Sequence, residues 1–173
     1  MTETTRRSAL AAGVSMFATG LICPRLAAQD APATRSVRNK PDKGPQIDPA
    51  LIKQFVGAGH GDLDAVRQML AERPSLVNGV WDWGGGDFET ALGGAAHMGR
   101  ADIAAYLVEH GARLDLFAAA VLGKIEIIRT AAAAFPGIHR TPGPHGIPLI
   151  AHAKKAGQDE IVRLIESLDS VGG

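Results

Sequence analysis

Gly61-Asp62-Leu63-Asp64-Ala65-Val66, Gly99-Arg100-Ala101-Asp102-Ile103-Ala104, Gly123-Lys124-Ile125-Glu126-Ile127-Ile128 and Gly157-Gln158-Asp159-Glu160-Ile161-Val162 are four versions of one pattern. A carboxylate stands three places after each glycine, two apolar residues follow it, and the eighth place holds Met69, Leu107, Ala131 or Ile165. Apolar residues at the fourth, fifth and eighth places form a single stripe on a helix. The glycine suits a sharp turn with positive φ, and the acid falls in the first helical turn, where the helix dipole favours negative charge. Upstream of each glycine lies a second short apolar segment, residues 51–59, 91–98, 116–122 and 149–156, rich in the small Ala and Gly that let helices approach closely. The predicted unit is helix, glycine turn, helix. The glycines are 38, 24 and 34 residues apart, a period that marks stacked repeats.

The segment from Thr90-Ala91-Leu92-Gly93-Gly94-Ala95-Ala96-His97-Met98-Gly99 to His110-Gly111-Ala112-Arg113-Leu114-Asp115 resembles one ankyrin repeat read from end to end. The other units match more loosely, so the resemblance covers about residues 50–168 and extends to small bacterial ankyrin-repeat proteins. It implies an all-α solenoid of about four helix-turn-helix units and a habit of binding proteins, with no reaction attached. The family's Thr-Pro-Leu-His start is incomplete here. Thr90 and Leu92 stand in the second unit and Pro148 and Leu149 in the fourth, while Gly93 and Ile150 occupy the histidine position. The third unit is shorter still, because only four residues separate Ala112 from Phe117. It is expected to lack its hairpin finger.

Stacks of this kind bind through finger tips and the inner faces of the first helices. The long finger, residues 79–89, contains three of the seven aromatic residues that follow residue 28. Large aromatic rings on a glycine-rich loop give contact area at low rotamer cost. A second loop, residues 137–146, is stiffened by prolines. The two loops should wall a notch, and Trp81, Asp82, Trp83, Asp87, Phe88, Arg140 and His145 are the candidate partner-binding residues. Trp81 and Trp83 have a second use, folding down over helix ends. The alternative function is a small-ligand or catalytic site built on Trp81, Trp83 and His145.

Residues 1–28 read as an address. Arg6 and Arg7 precede an uncharged run of 15 residues from Ala9 to Cys23, shorter than the roughly 20 that cross a bilayer. Thr5-Arg6-Arg7-Ser8-Ala9-Leu10 resembles a twin-arginine export signal, which implies a bacterial periplasmic or secreted protein cut near Ala28 or Ala33. Residues 29–48 hold three prolines and few large apolar side chains and should be a flexible linker. The repeat domain should span residues 49–170.

Composition narrows the chemistry. The full chain balances 18 basic against 18 acidic residues, and the cleaved chain would carry 15 and 17. That gives no excess of positive charge for a nucleic-acid backbone. The single cysteine, Cys23, falls in the address segment. Six histidines, His60, His97, His110, His139, His145 and His152, show no i, i+4 pairing, so the spacing predicts no metal site. Asp82, Asp87 and Glu89 lack the alternation of a calcium loop. No phosphate loop, nucleophile elbow or paired catalytic carboxylates can be placed. The reading is therefore a non-catalytic, cofactor-free, monomeric binding module for an unidentified protein, with no membrane association after cleavage.

Overall fold

A computed structural model describes residues 43–171. The address segment with Arg6, Arg7 and Cys23, both cleavage positions and most of the linker lie outside these residues. The described chain is mostly helical, with eight helices and one small antiparallel sheet. The helices are α1 (Pro49–Gly59), α2 (Leu63–Glu72), α3 (Ala91–His97), α4 (Ala101–Glu109), α5 (Leu116–Val121), α6 (Ile125–Ala134), α7 (Leu149–Lys155) and α8 (Asp159–Val171). They fall where the glycine pattern put them. Each repeat glycine lies between the two helices of a pair, and Asp64, Asp102, Glu126 and Glu160 occupy first turns as expected.

Local chemistry sets the boundaries. Gly99, Gly123 and Gly157 have φ near +70°. Behind them, the amides of Arg100, Lys124 and Gln158 reach back five residues to the carbonyls of Ala95, Ala119 and Ala153. This is the left-handed glycine cap that satisfies the last carbonyls of a helix. Gly61 differs from the expectation, because its φ is not positive. There the Asp62 amide bonds to Ala58 O instead, and the Asp62 carboxylate accepts from the Ala65 amide to cap α2. The Arg100 guanidinium of the next pair donates to Gly61 O.

The first helices pack in chain order, α1 on α3, α3 on α5 and α5 on α7, and each also packs against its own partner in the pair. Their contact faces are Ala- and Gly-rich: Ala91, Ala95, Ala96, Ala118, Ala119, Ala120 and Ala153 are all fully buried. Gly59 shows why. A Cβ there would stand 2.7 Å from Ala91 Cα and 2.9 Å from Ala91 C, inside the backbone of α3. Two clusters make the core, one around Phe55, Leu70, Leu92, Ile103 and Leu107, the other around Ile128, Leu149, Ile161 and Ile165. The stripe departs from its pattern on α6, where Ile127 is 41% exposed while Ile128 is buried. Ile127 lines an open apolar groove of about 510 Å³ that ends at Phe135.

Between α2 and α3 the chain makes a 3-10 turn, Pro74–Asn78, and then an antiparallel hairpin of β1 (Val80–Asp82) and β2 (Phe88–Thr90). Val80 pairs with Thr90, Trp81 with Glu89 and Asp82 with Phe88. The connection between α4 and α5 holds no strand among the described residues; Asp115 caps α5 directly by accepting from the Ala118 amide. Between α6 and α7 lie two 3-10 turns, Ile138–Arg140 and Pro144–Gly146, rather than a hairpin. The expected linker ends earlier than residue 48, since Ile47 packs on the core and Asp48 caps α1.

Candidate functional site

Side chains alternate across a strand pair, so the hairpin has two faces. Trp81 and Glu89 lie on one of them, turned toward the helices. Trp81 packs on α1 with Lys53 Nζ 5.3 Å from its ring. Val80 and Phe88 lie on the other and are 47% and 62% exposed. Asp82 stands on that outer face but closes the hairpin loop, its carboxylate accepting from the amides of Gly84 and Gly86.

Glu89 is a carboxylate with no exposed side-chain surface. Three imidazoles meet it, from three separate parts of the chain. His60, at the end of α1, has Nε2 3.2 Å from Glu89 Oε2. His97, the last residue of α3, has Nε2 3.1 Å from Oε1. His145, in the proline-bounded turn, has Nε2 3.4 Å from Oε1. Trp83 covers the group from the hairpin: its indole N–H donates to Glu89 Oε2 at 2.7 Å, and its ring meets His60 edge-on at 6.0 Å. The imidazoles also meet one another edge to face, with centroids 4.8 Å apart for His60 and His97 and 5.1 Å for His97 and His145.

The sequence makes room for this cluster at two adjacent glycines of α3. A Cβ on Gly94 would stand 2.8 Å from His60 Nδ1, and one on Gly93 would crowd Glu89 Cγ and Pro144 Cγ at 3.2 and 3.4 Å. Around the rim, His60 Nδ1 donates to Val56 O at 3.0 Å and His145 Nδ1 donates to Asp87 Oδ2 at 2.5 Å. Asp87 also accepts from the His145 amide, at 2.9 Å. His145 is held there with φ of 59°, the one positive φ outside glycine among the described residues. Such a conformation is uncommon for a residue with a Cβ and persists where its surroundings enforce it.

The charges follow from these contacts. Hydrogen bonding to Glu89 raises His60 above the ordinary histidine value, outweighing its burial. Burial works to raise Glu89, yet the bonds from His60 and Trp83 hold it below the usual carboxylate range. Burial lowers His97 below the ordinary histidine value, against the pull of the Glu89 carboxylate. The bond from the His145 amide, followed by that from its ring, lowers Asp87.

Of the residues singled out from sequence, Trp83, Asp87 and His145 come together at this cluster, while Trp81 lies on α1 and Phe88 faces solvent. Arg140 is elsewhere. Its Nε donates to Asp169 Oδ1 at 2.9 Å and, with His139, ties the first of the two turns to α8. His60, Glu89 and His97, the centre of the site, were not among the predicted site residues. Their signal is positional: His60 and His97 precede their repeat glycines by one and two places, so stacking sets them side by side.

Compared with protein-family models, curated proteins and solved structures, the chain matches none. No helix among the described residues is long and apolar enough to cross a membrane.

Proposed function

We propose that this chain is an exported stack of four ankyrin-type helix pairs, the third without a finger, that holds one hairpin rigid and offers its outer face to a protein partner. The observation that carries this is the division of the hairpin into a locked face and a bare one. Glu89, Trp81 and Trp83 are fixed on the helix side, whereas Val80 and Phe88, at 47% and 62% exposure, form an apolar edge on a backbone already immobilised. Pre-ordered aromatic area loses little entropy on binding, which is what a binding hot spot requires. The partner is a protein in the periplasm or outside the cell, and the stack binds it without transforming it.

The test replaces Val80 and Phe88 together by Ser. The variant should keep the melting temperature within a few degrees, since both side chains are already in water. It should also lose a cross-linked partner that the parent chain captures from periplasmic extract. Equal capture by both chains would refute the proposal.

A further inference from the structure

We propose that His60, His97, His145 and Glu89 form a binding site for one divalent transition-metal ion of the zinc type. The ion would clasp the hairpin to α1, α3 and the proline-bounded turn. The site stands whether or not the hairpin meets a protein.

Its first support is the donor set. One ligand atom from each residue, three imidazole nitrogens and a carboxylate oxygen, lie within 4.8 Å of one another. With bonds of about 2.0–2.1 Å, a tetrahedral ion needs its ligand atoms about 3.3–3.4 Å apart. The nitrogens of His97 and His145 stand 3.1 and 3.4 Å from Glu89 Oε1, close to that spacing, and the His60 nitrogen stands 3.2 Å from the other oxygen, Oε2. Nitrogen-rich ligation selects zinc, copper, nickel, cobalt or iron over calcium and magnesium, which prefer oxygen throughout.

Its second support is unsatisfied chemistry. Glu89 Oε1 and His97 Nε2 are buried and accept or donate no hydrogen bond among the described residues, although they stand 3.1 Å apart. Buried polar atoms without partners are rare and call for an explanation. A cation between them satisfies both.

The third support is the outer layer. The Val56 carbonyl and the Asp87 carboxylate can only accept, so Nδ1 carries the hydrogen in His60 and His145. Each ring, when neutral, then turns an Nε2 lone pair toward Glu89. Metal-bound histidines are oriented in this way by a carbonyl or carboxylate behind them. Charge also closes: two positive charges on the ion meet the carboxylates of Glu89 and Asp87, and the imidazoles bind as neutral ligands. The strained backbone at His145 and the two glycines that admit His60 and Glu89 gain a shared purpose.

The experiment uses the full chain without a purification tag, stripped with chelator and passed through gel filtration after incubation with Zn²⁺ or Co²⁺. Elemental analysis should give one ion per chain, with a chelator-competition affinity in the micromolar range or tighter. Co²⁺ should give the intense visible band of a four-coordinate site, and the fluorescence of Trp83 should change in step with loading. His60→Ala and Glu89→Gln should weaken binding at least about 100-fold, and Asp87→Asn by about 10–100-fold. Because His60 and Glu89 are also packed, His145→Ala on the exposed turn is the variant that keeps its fold by circular dichroism and still loses the ion. A folded parent chain that retains neither metal overturns the proposal. So does a His145→Ala chain that binds as the parent does.

Discussion

Two glycines of one helix, two residues apart, should respond to the same substitution with opposite signs. Gly57 faces solvent on α1, and a Cβ there meets nothing within 4 Å. Gly57→Ala removes only backbone freedom from the unfolded chain and should stabilise by about 0.5–1 kcal/mol. Gly59 faces α3, and its Cβ would lie inside the backbone of Ala91, at 2.7 Å from Cα. Backbone cannot rotate away as a side chain can, so α1 must shift against α3. Overpacking of this kind costs about 1–3 kcal/mol, and the helix-propensity gain offsets only part of it. For a domain of this size each kcal/mol moves the melting temperature by about 3–6 °C. Gly59→Ala should therefore melt about 5–15 °C below the parent, and Gly57→Ala about 2–5 °C above it, by circular dichroism at 222 nm. If Gly59→Ala melted at or above the parent temperature, the close packing of successive first helices would be wrong.

Other consequences can be measured in the same way. Gly99→Ala combines a φ of +70° with a Cβ 2.8 Å from Lys155 O, whereas Gly157→Ala has the same φ and open space. The first should cost more than the second, about 2–4 against about 1 kcal/mol in urea denaturation. Asn78 spans two parts of the chain, donating to Gly111 O at 3.0 Å and accepting from the Arg113 amide at 2.9 Å. Asn78→Ala should cost about 1–2 kcal/mol and speed hydrogen exchange at Arg113. His152 is fully buried against Phe117, and burial lowers its pKa. Its contribution is complete above the unfolded value near 6.5 and is lost as pH falls below it, because the unfolded chain takes up the proton more readily. His152→Gln should thus be less stable than the parent at pH 7.5 but closer to it at pH 5.5; a gap that widens on acidification would contradict the assignment.

The helices were legible because glycine, acid and apolar stripe are local signals, each acting within one turn of chain. The hairpin's position was legible as a long glycine-rich insertion, though not its facing. Glu89 read as one of three acids on a loop, and only the register that pairs it with Trp81 turns it inward. The pairing of Arg140 was hidden for a similar reason: its partner, Asp169, is 29 residues away on α8. The histidine cluster was illegible to spacing rules, which look for ligands on one helix. His60, His97 and His145 are 37 and 48 residues apart in sequence, and each is delivered by a different element. Gly93 and Gly94 carried a trace of it. Two glycines within a seven-residue helix weaken that helix and imply that something large must pass.

The short connection between α4 and α5 bears on how His145 reaches the site. Residues 110–115 join α4 to α5 with no strand or 3-10 turn, unlike the connections between the other pairs. That turn leans across the gap. Gly143 lies flat on the Phe117 ring, where a Cβ would be 2.9 Å from Cε1; Pro144 sits over Gly93; and α3 touches α7 as well as α5. In a stack whose members touch only their neighbours, stability is a sum of adjacent interfaces. Here Asp87 of the hairpin accepts from His145, 58 positions later, and Glu89 stands 3.4 Å from the same ring, adding a link that skips one helix pair. That link predicts that α3–α4 and α7–α8 unfold in one transition, with coincident urea midpoints for hydrogen exchange in the two pairs; separate midpoints would contradict it.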